Sequence, residues 1–331
     1  MDDAEAFPKV SIIVASYNNE QTIEECLRSI LALDYPAGFV EVIVMDGASK
    51  DATVHKAQQF PVKTVSIHLN CPAAYNYAMK NLVSHEILGF VDSDAKVEVD
   101  WLRKLIPRLS EPRVAGASGR IETWNPENPW AKNIGYEIKN RYSRIGKETG
   151  RIATMNLLMK KSVIEEAGGW DETLASQYDT DLGFRLSAKG YRIAYEPSAI
   201  CYHFNRPTLK AFYRQQRQYG KNTLRLYFKH KDLAKGDEIT DFGMNIQPVL
   251  ILAIIICFLV GIVPILRPIW YVSALILVFM LIYFGYCAGR IKAKYDDTSI
   301  WRLVVLFYVR SFAWFVGALA TASGYLTGRL R

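Results

Sequence analysis

Three long apolar runs without a single charge constrain this chain more than any other feature. They cover Phe242–Leu266, Pro268–Gly289 and Ser311–Gly328. An α-helix needs roughly 20 apolar residues to cross the hydrocarbon core of a bilayer, and runs of this length meet that requirement. We therefore predict a transmembrane region over residues 242–331, with spans at about 242–266, 268–289 and 301–328.

The last predicted span is ambiguous because Arg310 interrupts its apolar sequence. A charge inside the hydrocarbon is costly, so a span would avoid placing it there without compensation. Two arrangements are open. Either Trp301–Val309 lies in the interface and Ser311–Leu326 crosses, or the whole segment re-enters on one side.

The positive charge of the chain is concentrated just before these spans. The formal net charge is +7, and the segment from Arg206 to Lys235 alone holds nine Lys/Arg and one acidic residue. The remainder is therefore about neutral, which argues against a nucleic-acid-binding protein. Basic segments next to a span bind anionic lipid headgroups and stay on the cytoplasmic side. We predict basic amphipathic interfacial helices over 206–241, in a multi-pass protein of the cell membrane whose catalytic domain is cytoplasmic.

The N-terminal part of the chain alternates between buried strands and amphipathic helices. The predicted strands are Val10–Ala15, Val40–Met45, Val62–Leu69 and Ile87–Val91. Strands that alternate with helices over about 90 residues are typical of an α/β fold with a mostly parallel sheet, Rossmann-like and flanked by helices. We assign this domain to residues 1–205. Within it, 121–150 is predicted as a loop, either facing an acceptor or simply solvated.

Polar side chains follow several of these strands, where parallel sheets bind their ligands. Tyr17 and Asp46 follow the first and second strands, and Asp92 and Asp94 follow the fourth. In extended backbone the i, i+2 spacing of the last two points both carboxylates the same way. Carboxylate oxygens are the ligands that Mg²⁺ and Mn²⁺ prefer, so the pair predicts a divalent-cation site that could hold a diphosphate. The alternative is a polar turn that closes the strand.

Five short motifs in order resemble family 2 glycosyltransferases with a GT-A fold. They are Val10–Asn18, Asp46–Asp51, Asp92–Asp94, Gly168–Glu172 and Asp179–Leu182. The resemblance covers about residues 8 to 222. The apolar C-terminal region is similar to that of membrane-attached members which build exopolysaccharides or lipid-linked glycans.

The resemblance implies a role for each matching residue. Asp179 would be the catalytic base, although carboxylates at the start of a helix also serve as caps. The implied donor-binding residues are Ala15, Tyr17, Asp46, Asn76, Asp92, Gln215 and Tyr219. The implied metal ligands are Asp94, Asp92 and His203, with Mg²⁺ or Mn²⁺ as the cofactor.

The chain departs from the family pattern at three places. Tyr75 stands where the family has an Arg, and Tyr178 stands where the family has the Glu of its Glu-Asp pair. In the stretch Gln215–Tyr219, Gln218 and Tyr219 replace the Arg and Trp of a Gln-x-x-Arg-Trp motif, which weakens any inference of processive polymer synthesis.

Together these features predict an inverting, metal-dependent glycosyltransferase. Its donor would be a nucleotide-sugar, expected to be a UDP-sugar, and its acceptor a polyprenyl-linked saccharide or a surface glycan, in contact with membrane lipids. Two alternatives stay open from the sequence. One is a polyprenyl- or dolichyl-phosphate monoglycosyl synthase, and the other is a non-catalytic membrane-anchored scaffold that binds a nucleotide-sugar.

Overall fold

The computed structural model describes residues 7–327. The first six residues of the predicted N-terminal domain, and residues 328–331 at the end of the predicted transmembrane region, lie outside the described residues. The chain forms two compact units. The first contains the chain up to Trp124 together with Ile145–Phe204, and the second contains Asn125–Arg144 together with the chain from Asn205 onward.

The first unit is built on a single mixed sheet. Its strands are β1 (Val10–Ser16), β2 (Val40–Asp46), β3 (Lys63–Ser66), β4 (Ile87–Asp92), β5 (Ala95–Val97), β6 (Val114–Thr123), β7 (Glu148–Thr149), β8 (Leu157–Lys160) and β9 (Arg192–His203). Their order is β3-β2-β1-β4-β8-β6-β9-β5, with β7 paired to β9. The first four sequence-predicted strands form the parallel half, β3-β2-β1-β4. The predicted α/β fold class is therefore confirmed.

Helices cover both faces of this sheet and also form the second unit. They are α1 (Ile23–Leu31), α2 (Thr53–Ala57), α3 (Cys71–Asn81), α4 (Trp101–Leu105), α5 (Pro129–Tyr142), α6 (Lys161–Glu166), α7 (Tyr178–Ala188), α8 (Leu209–Lys229), α9 (Phe242–Asn245), α10 (Gln247–Val260), α11 (Trp270–Lys294) and α12 (Ile300–Leu326). Helices α5 and α8 to α12 belong to the second unit.

The continuous apolar sequence of β1 follows from burial on both faces. Ile12 and Val14 pack in one core cluster with Leu27 of α1. Ile13 points to the opposite face and packs with Tyr75 of α3. Because successive side chains of a strand alternate between faces, a strand covered on both sides needs apolar residues at every position.

The long strand β9 continues across a proline. Its apolar segments Ile193–Tyr195 and Ala199–Tyr202 lie on either side of Pro197 and belong to one strand. Its parallel pairing with β6 shifts register between Gly119–Glu196 and Arg120–Ile200. Pro197 lies in the skipped stretch and has no N–H to donate, so the chain bulges there and then resumes the same pairing.

The second unit contains three helical stretches that are long and apolar enough to cross a membrane. They are Phe242–Val260, Pro264–Lys294 and Ile300–Leu326, with mean hydropathies of 2.3, 2.2 and 1.9. The third is one unbroken helix of 27 residues. It is not divided at Arg310, because Arg310 is buried and forms an ion pair with Glu137 of α5.

Residues 125–144 differ from both of their sequence-based assignments. They were expected to be a loop of the first domain, but 129–142 form helix α5 in the second unit. Its Ile134 is buried against Phe212 of α8 and Leu306 of α12. Asn128 caps the helix by accepting hydrogen bonds from the backbone N–H groups of Trp130 and Ala131.

The predicted interfacial segment contains one long helix, α8, followed by a short 3₁₀ turn at Lys231–Lys235. The buried side of α8 packs closely on α12. The indole N–H of Trp314 donates to the buried Oε1 of Gln216 at 2.9 Å. Gly220 allows this approach, because a Cβ there would lie 2.5 Å from Cα of Trp314.

We predict that Gly220→Ala destabilises the second unit, because the added methyl group meets backbone atoms, which cannot rotate away. The expected loss in the free energy of unfolding is about 1–3 kcal/mol. Thermal unfolding of the detergent-solubilised full chain measures it. Gly285→Ala in α11 is the matched control, since a Cβ there meets nothing within 4 Å, and we expect no loss. Equal stability of the two variants would contradict the close crossing.

Candidate active site

The strand register of the parallel half brings the candidate residues to one edge of the sheet. Ala15 pairs with Asp92, and Ser16 pairs with Asp46. Asp46 and Asp92 are the last residues of β2 and β4, and Tyr17 directly follows β1. The polar groups that the sequence places after three separate strands are therefore neighbours in the sheet.

The Asp92–Asp94 motif turns the chain from β4 into the short strand β5. This strand pairs antiparallel with the end of β9, and Ala95 lies opposite His203. The pairing brings Nε2 of His203 to 3.6 Å from Oδ1 of Asp94, and both side chains are nearly buried. A sheet contact between segments more than a hundred residues apart thus places an imidazole beside the second carboxylate of the motif.

Burial and neighbouring acids shift the pKa of Asp92 strongly. Its pKa is raised from 3.8 to about 7, first by burial and then by the negative charges of Asp94 and Asp179. Hydrogen bonds from Thr154 and Tyr75 act in the opposite direction. The hydroxyl of Tyr75 lies 3.4 Å from Oδ1 of Asp92. Asp94 and Asp179, which belong to two distant parts of the chain, are therefore both close enough to Asp92 to disfavour its charged form.

Asp179 lies in the first turn of α7, and its environment favours the protonated form. Burial raises the pKa of Asp179, while the positive charge of Arg151 and a hydrogen bond from the backbone N–H of Thr180 oppose the rise. That N–H donates to Oδ1 at 2.7 Å. Asp181 has a separate role, because it is fully buried in an ion pair with Arg185 at 2.8 Å. Asp179 is thus a carboxylate of increased basicity.

Asp46 is held firmly at the end of β2. Its carboxylate accepts hydrogen bonds from the backbone N–H of Ser49 at 2.9 Å, from the Ser49 hydroxyl, and from the Ser66 hydroxyl at 2.8 Å. Tyr17, by contrast, is 55% exposed. A Cβ at Gly47 would lie 3.5 Å from the Tyr17 ring, an ordinary van der Waals distance, so the two segments are neighbours. Contact of Asp46 and Tyr17 with a donor stays a prediction.

The side-chain amide of Asn76 forms hydrogen bonds with the Gly168–Glu172 motif. Its Nδ2 donates to the Trp170 carbonyl at 2.9 Å and to Oε1 of Glu172 at 2.8 Å, and its Oδ1 accepts from the Trp170 N–H at 2.9 Å. Gly169 has a positive φ of 76° and lies against the same amide. These bonds describe a positioning role, and a direct contact of Asn76 with donor stays a prediction.

The two tyrosines that replace charged family residues meet in one aromatic cluster. The ring centroids of Tyr75 and Tyr178 are 6.0 Å apart, and both rings also pack against the buried Trp170. The Tyr178 hydroxyl donates to Sγ of Cys71 at 3.0 Å. The chain therefore lacks an Arg and a Glu at the two positions and has a packed, uncharged pair instead.

Two of the implied donor residues lie in the second unit. Gln215 and Tyr219 are on α8, whose neighbouring Gln216 is buried against α12. Their contact with a donor stays a prediction. Ala15 is the next-to-last residue of β1, and its carbonyl accepts a hydrogen bond from the N–H of Ser93 at 3.3 Å, so it supports the turn that carries Asp94.

The donor set suits a hard divalent cation. Between residues 7 and 327, no group of three or more His, Cys, Asp or Glu side chains has the geometry of a complete metal site. Mg²⁺ and Mn²⁺ do not require one, because they are often bound by one or two carboxylates, with water and substrate phosphates as the other ligands. Asp92, Asp94 and His203 provide oxygen and imidazole ligands, so the residues present fit such an ion.

Comparison with known proteins identifies the first unit. The family model "Glycosyl transferase family 2" matches residues 11–166. The chain contains a family 2 glycosyltransferase domain. The matched range contains β1, Asp46 and the Asp92–Asp94 motif, so the sequence-based recognition is confirmed.

Curated relatives agree with this family. The chain is 26% identical over 227 residues to glycosyltransferase AglE of Haloferax volcanii, which covers 66% of this chain and 74% of the relative. It is 27% identical over 226 residues to poly-beta-1,6-N-acetyl-D-glucosamine synthase of Staphylococcus epidermidis, which covers 62% of this chain. The chain spans about half the length of that second relative, 52%.

A solved structure shares the fold of this glycosyltransferase. Mannosyltransferase PcManGT from Pyrobaculum calidifontis, in complex with GDP-Man and Mn²⁺, aligns with a TM-score of 0.59 and 19% identity. The alignment covers 95% of this chain and 87% of that one. At this identity the likeness supports the GT-A fold, which the sequence predicted.

Sequence reasoning missed three residues that act on the glycosyltransferase carboxylates. Tyr75 and Thr154 donate hydrogen bonds to Asp92, and Arg151 places a positive charge near Asp179. Arg151 and Thr154 carry no local pattern, since they lie in an irregular segment before β8. The importance of Tyr75 could have been inferred from the sequence, because it replaces an Arg of the family pattern. Its helix α3 packs against the sheet strands that carry the site.

We predict that metal-free protein loses stability as pH rises from about 4 through about 7. The pKa of Asp92 is raised in the folded state, so the folded protein holds this proton more tightly than the unfolded chain over that range. Asp92→Asn should remove this decrease of stability with pH, because the amide does not titrate. We expect it to raise the free energy of unfolding at pH 8 by roughly 1–3 kcal/mol. Thermal unfolding in EDTA across this pH range measures it.

Asp34→Asn serves as the control for that experiment, because Asp34 is an exposed carboxylate of the same unit, with 59% of its side chain accessible. We expect its pH profile to match that of the unmodified protein. A wild-type stability that is flat between pH 4 and 7 would contradict the proposed repulsion among the buried acids.

Proposed function

We propose that this family 2 glycosyltransferase is an inverting, metal-dependent enzyme. It would transfer a sugar from a nucleotide-sugar, with a UDP-sugar as the first expectation, to a lipid-linked saccharide or surface-glycan acceptor. The observation that carries the proposal is the electrostatic proximity of Asp179 to Asp92, together with Asp94, in one buried site. A base on one side and cation ligands on the other are what direct displacement at a sugar carbon needs.

Asp179 would act as the general base. It accepts the proton of the acceptor hydroxyl as that oxygen forms a bond to C1 of the donor sugar, while the bond from C1 to the nucleoside diphosphate breaks. Attack from the face opposite the leaving group inverts the configuration and requires no enzyme nucleophile. The raised pKa of Asp179 suits this role, because a more basic carboxylate takes a proton more readily.

Asp92, Asp94 and His203 would hold the divalent cation that the family implies. When bound, such an ion supplies Lewis-acid neutralisation of the negative charge that develops on the leaving diphosphate. Tyr17 and Asp46 would orient the nucleotide base, which places the sugar carbon in line with the acceptor. The rigid hydrogen bonds of Asp46 support that role, since a preorganised contact loses less entropy on binding.

The enzyme would work at the cytoplasmic face of the cell membrane as a multi-pass protein. Three apolar helices support the membrane attachment. The basic helix α8 and the Lys and Arg residues at the end of α11 support the orientation, because short cytoplasmic segments carry the excess of positive charge. Arg267, alone in the turn between two spans, would lie on the outer side.

Asp179→Asn should abolish transfer and leave donor binding intact, because the amide keeps the shape of the side chain but cannot accept the proton. We expect kcat to fall by about 10²–10⁴-fold. The assay uses Mn²⁺ and the donor that gives the largest thermal stabilisation in a panel of UDP- and GDP-sugars. Asp34→Asn is the control and should keep full activity.

That experiment also separates a catalyst from a scaffold. A protein that binds the donor but shows no transfer to a prenyl-phosphate or lipid-linked saccharide acceptor, with or without Asp179, would be a binding module. Transfer directly to prenyl phosphate would favour a monoglycosyl synthase over elongation of a glycan.

Arg151→Gln should move the acidic limb of the pH–rate profile to higher pH. The positive charge of Arg151 lowers the pKa of Asp179, so its removal raises that pKa further. The base is active when deprotonated, and the variant therefore needs a higher pH to reach full kcat/KM. An unchanged limb in a variant with normal thermal stability would show that Asp179 is not the titrating base.

A further inference from the structure

The second unit contains a cavity of about 680 Å³. Its walls come from α5, the start of α10, the end of α11 and the first part of α12. Cavities that bind small molecules have volumes of about 300–1,000 Å³, so this one is large enough for a ligand. The ends of helices α10, α11 and α12 that line it lie next to one another, and all three belong to the apolar stretches.

The cavity has an excess of positive charge. Five cationic and two acidic side chains line it. The cations are Arg141, Arg144, Arg290, Lys294 and Arg310, and the acids are Glu137 and Asp241. The formal balance of the lining is therefore +3.

Both acids are already engaged by part of this set. Glu137 contacts Arg141 at 3.0 Å and Arg310 at 2.5 Å, and Asp241 contacts Arg144 at 2.7 Å. Burial acts to raise the pKa of Glu137, but the charges of Arg141 and Arg310 outweigh it and lower that pKa. Among the residues that line the cavity, no further acid is available to balance Arg290 and Lys294.

Arg310 provides a second and independent observation. Its side chain is 7% exposed, and its Nε has no hydrogen-bond partner among the described residues. A buried donor without a partner is unfavourable, and more so on a charged group. Natural structures rarely keep such a group unless a ligand or water completes its hydrogen bonds.

Apolar side chains also line this cavity. They include Met244, Phe284 and Phe307, and the outer surfaces of these helices expose large apolar side chains such as Leu275 and Ile282. A cavity that offers both cations and aromatic rings suits an amphiphile. A strongly hydrated small anion would use only the charged side chains.

We infer that this cavity binds the headgroup of a membrane lipid that carries a terminal phosphate or diphosphate. The inference rests on the proposed membrane attachment. A phosphate monoester has a charge of about −1.5 to −2 at neutral pH and three acceptor oxygens, which matches the excess charge better than the single negative charge of a phosphodiester. Arg290, Lys294 and Nε of Arg310 supply the donors, and the lipid chain leaves along the apolar helices.

The test measures lipid binding to the full chain in detergent by native mass spectrometry, with phosphatidic acid as the probe. Lys294→Gln removes a cation of the cavity. Lys292→Gln, two residues away on the same helix end, is the matched control, because Lys292 does not line the cavity and pairs with Asp296 at 3.0 Å. We expect the Kd for phosphatidic acid to rise about fivefold in the first variant and to stay within about twofold in the second.

Two further binding measurements distinguish a lipid phosphate monoester from a phosphodiester lipid and from free phosphate. Phosphatidylglycerol should bind more weakly than phosphatidic acid, and inorganic phosphate at the same concentration should give no comparable occupancy. Arg290→Gln repeats the measurement at a second cation, and thermal unfolding without lipid checks that each variant is folded.

Three results would overturn the inference. They are equal weakening by Lys292→Gln and Lys294→Gln, equal affinity for the two lipids, and equal occupancy by inorganic phosphate. No arm requires a sugar donor or catalytic turnover. Failure of the glycosyltransferase proposal would therefore leave the lipid measurement interpretable, and the reverse also holds.

Discussion

Repulsion of the Asp92 carboxylate by neighbouring acids is the constraint on which the active site depends. The charges of Asp94 and Asp179 act together with burial to raise the pKa of Asp92 to about 7. Such an arrangement is unfavourable by itself. The fold maintains it because the β4 strand that ends at Asp92 is buried in the sheet and the helix α7 that carries Asp179 packs through its buried residues. A bound cation would relieve the repulsion.

The two tyrosine replacements keep the charge of this site in balance. The family pattern would place an Arg at Tyr75 and a Glu at Tyr178, and the chain lacks both together. Because one positive and one negative charge are lost, the net charge near Asp92 and Asp179 does not change. The two rings pack against each other and against Trp170, and the Tyr75 hydroxyl still points a donor toward Asp92. The two positions are therefore in direct contact between α3 and α7.

Local pattern was sufficient to predict the parallel half of the sheet and the position of the Asp92–Asp94 motif, because buried strands read as continuous apolar runs. It could not place His203 beside Asp94, since that neighbourhood depends on the pairing of β5 with β9. It also missed α5. The apolar residues Trp130, Ile134 and Ile138 recur there every four residues, as they do on one side of a helix. The segment was nevertheless predicted to be a loop because it is also rich in Asn, Lys and Arg.

Helix α5 explains how the second unit accommodates an arginine in one of its apolar helices. Arg310 lies in an unbroken apolar helix, and its partner Glu137 comes from a segment more than 170 residues earlier in the chain. The chain leaves the sheet unit at Trp124, contributes α5, and returns at Ile145. Removing everything from Asn205 onward would therefore leave Glu137 without Arg310 and Ile134 without its apolar neighbours. The sheet unit and the apolar helices are thus interleaved in the sequence, because a polar helix that lies between two parts of the first unit packs in the core of the second.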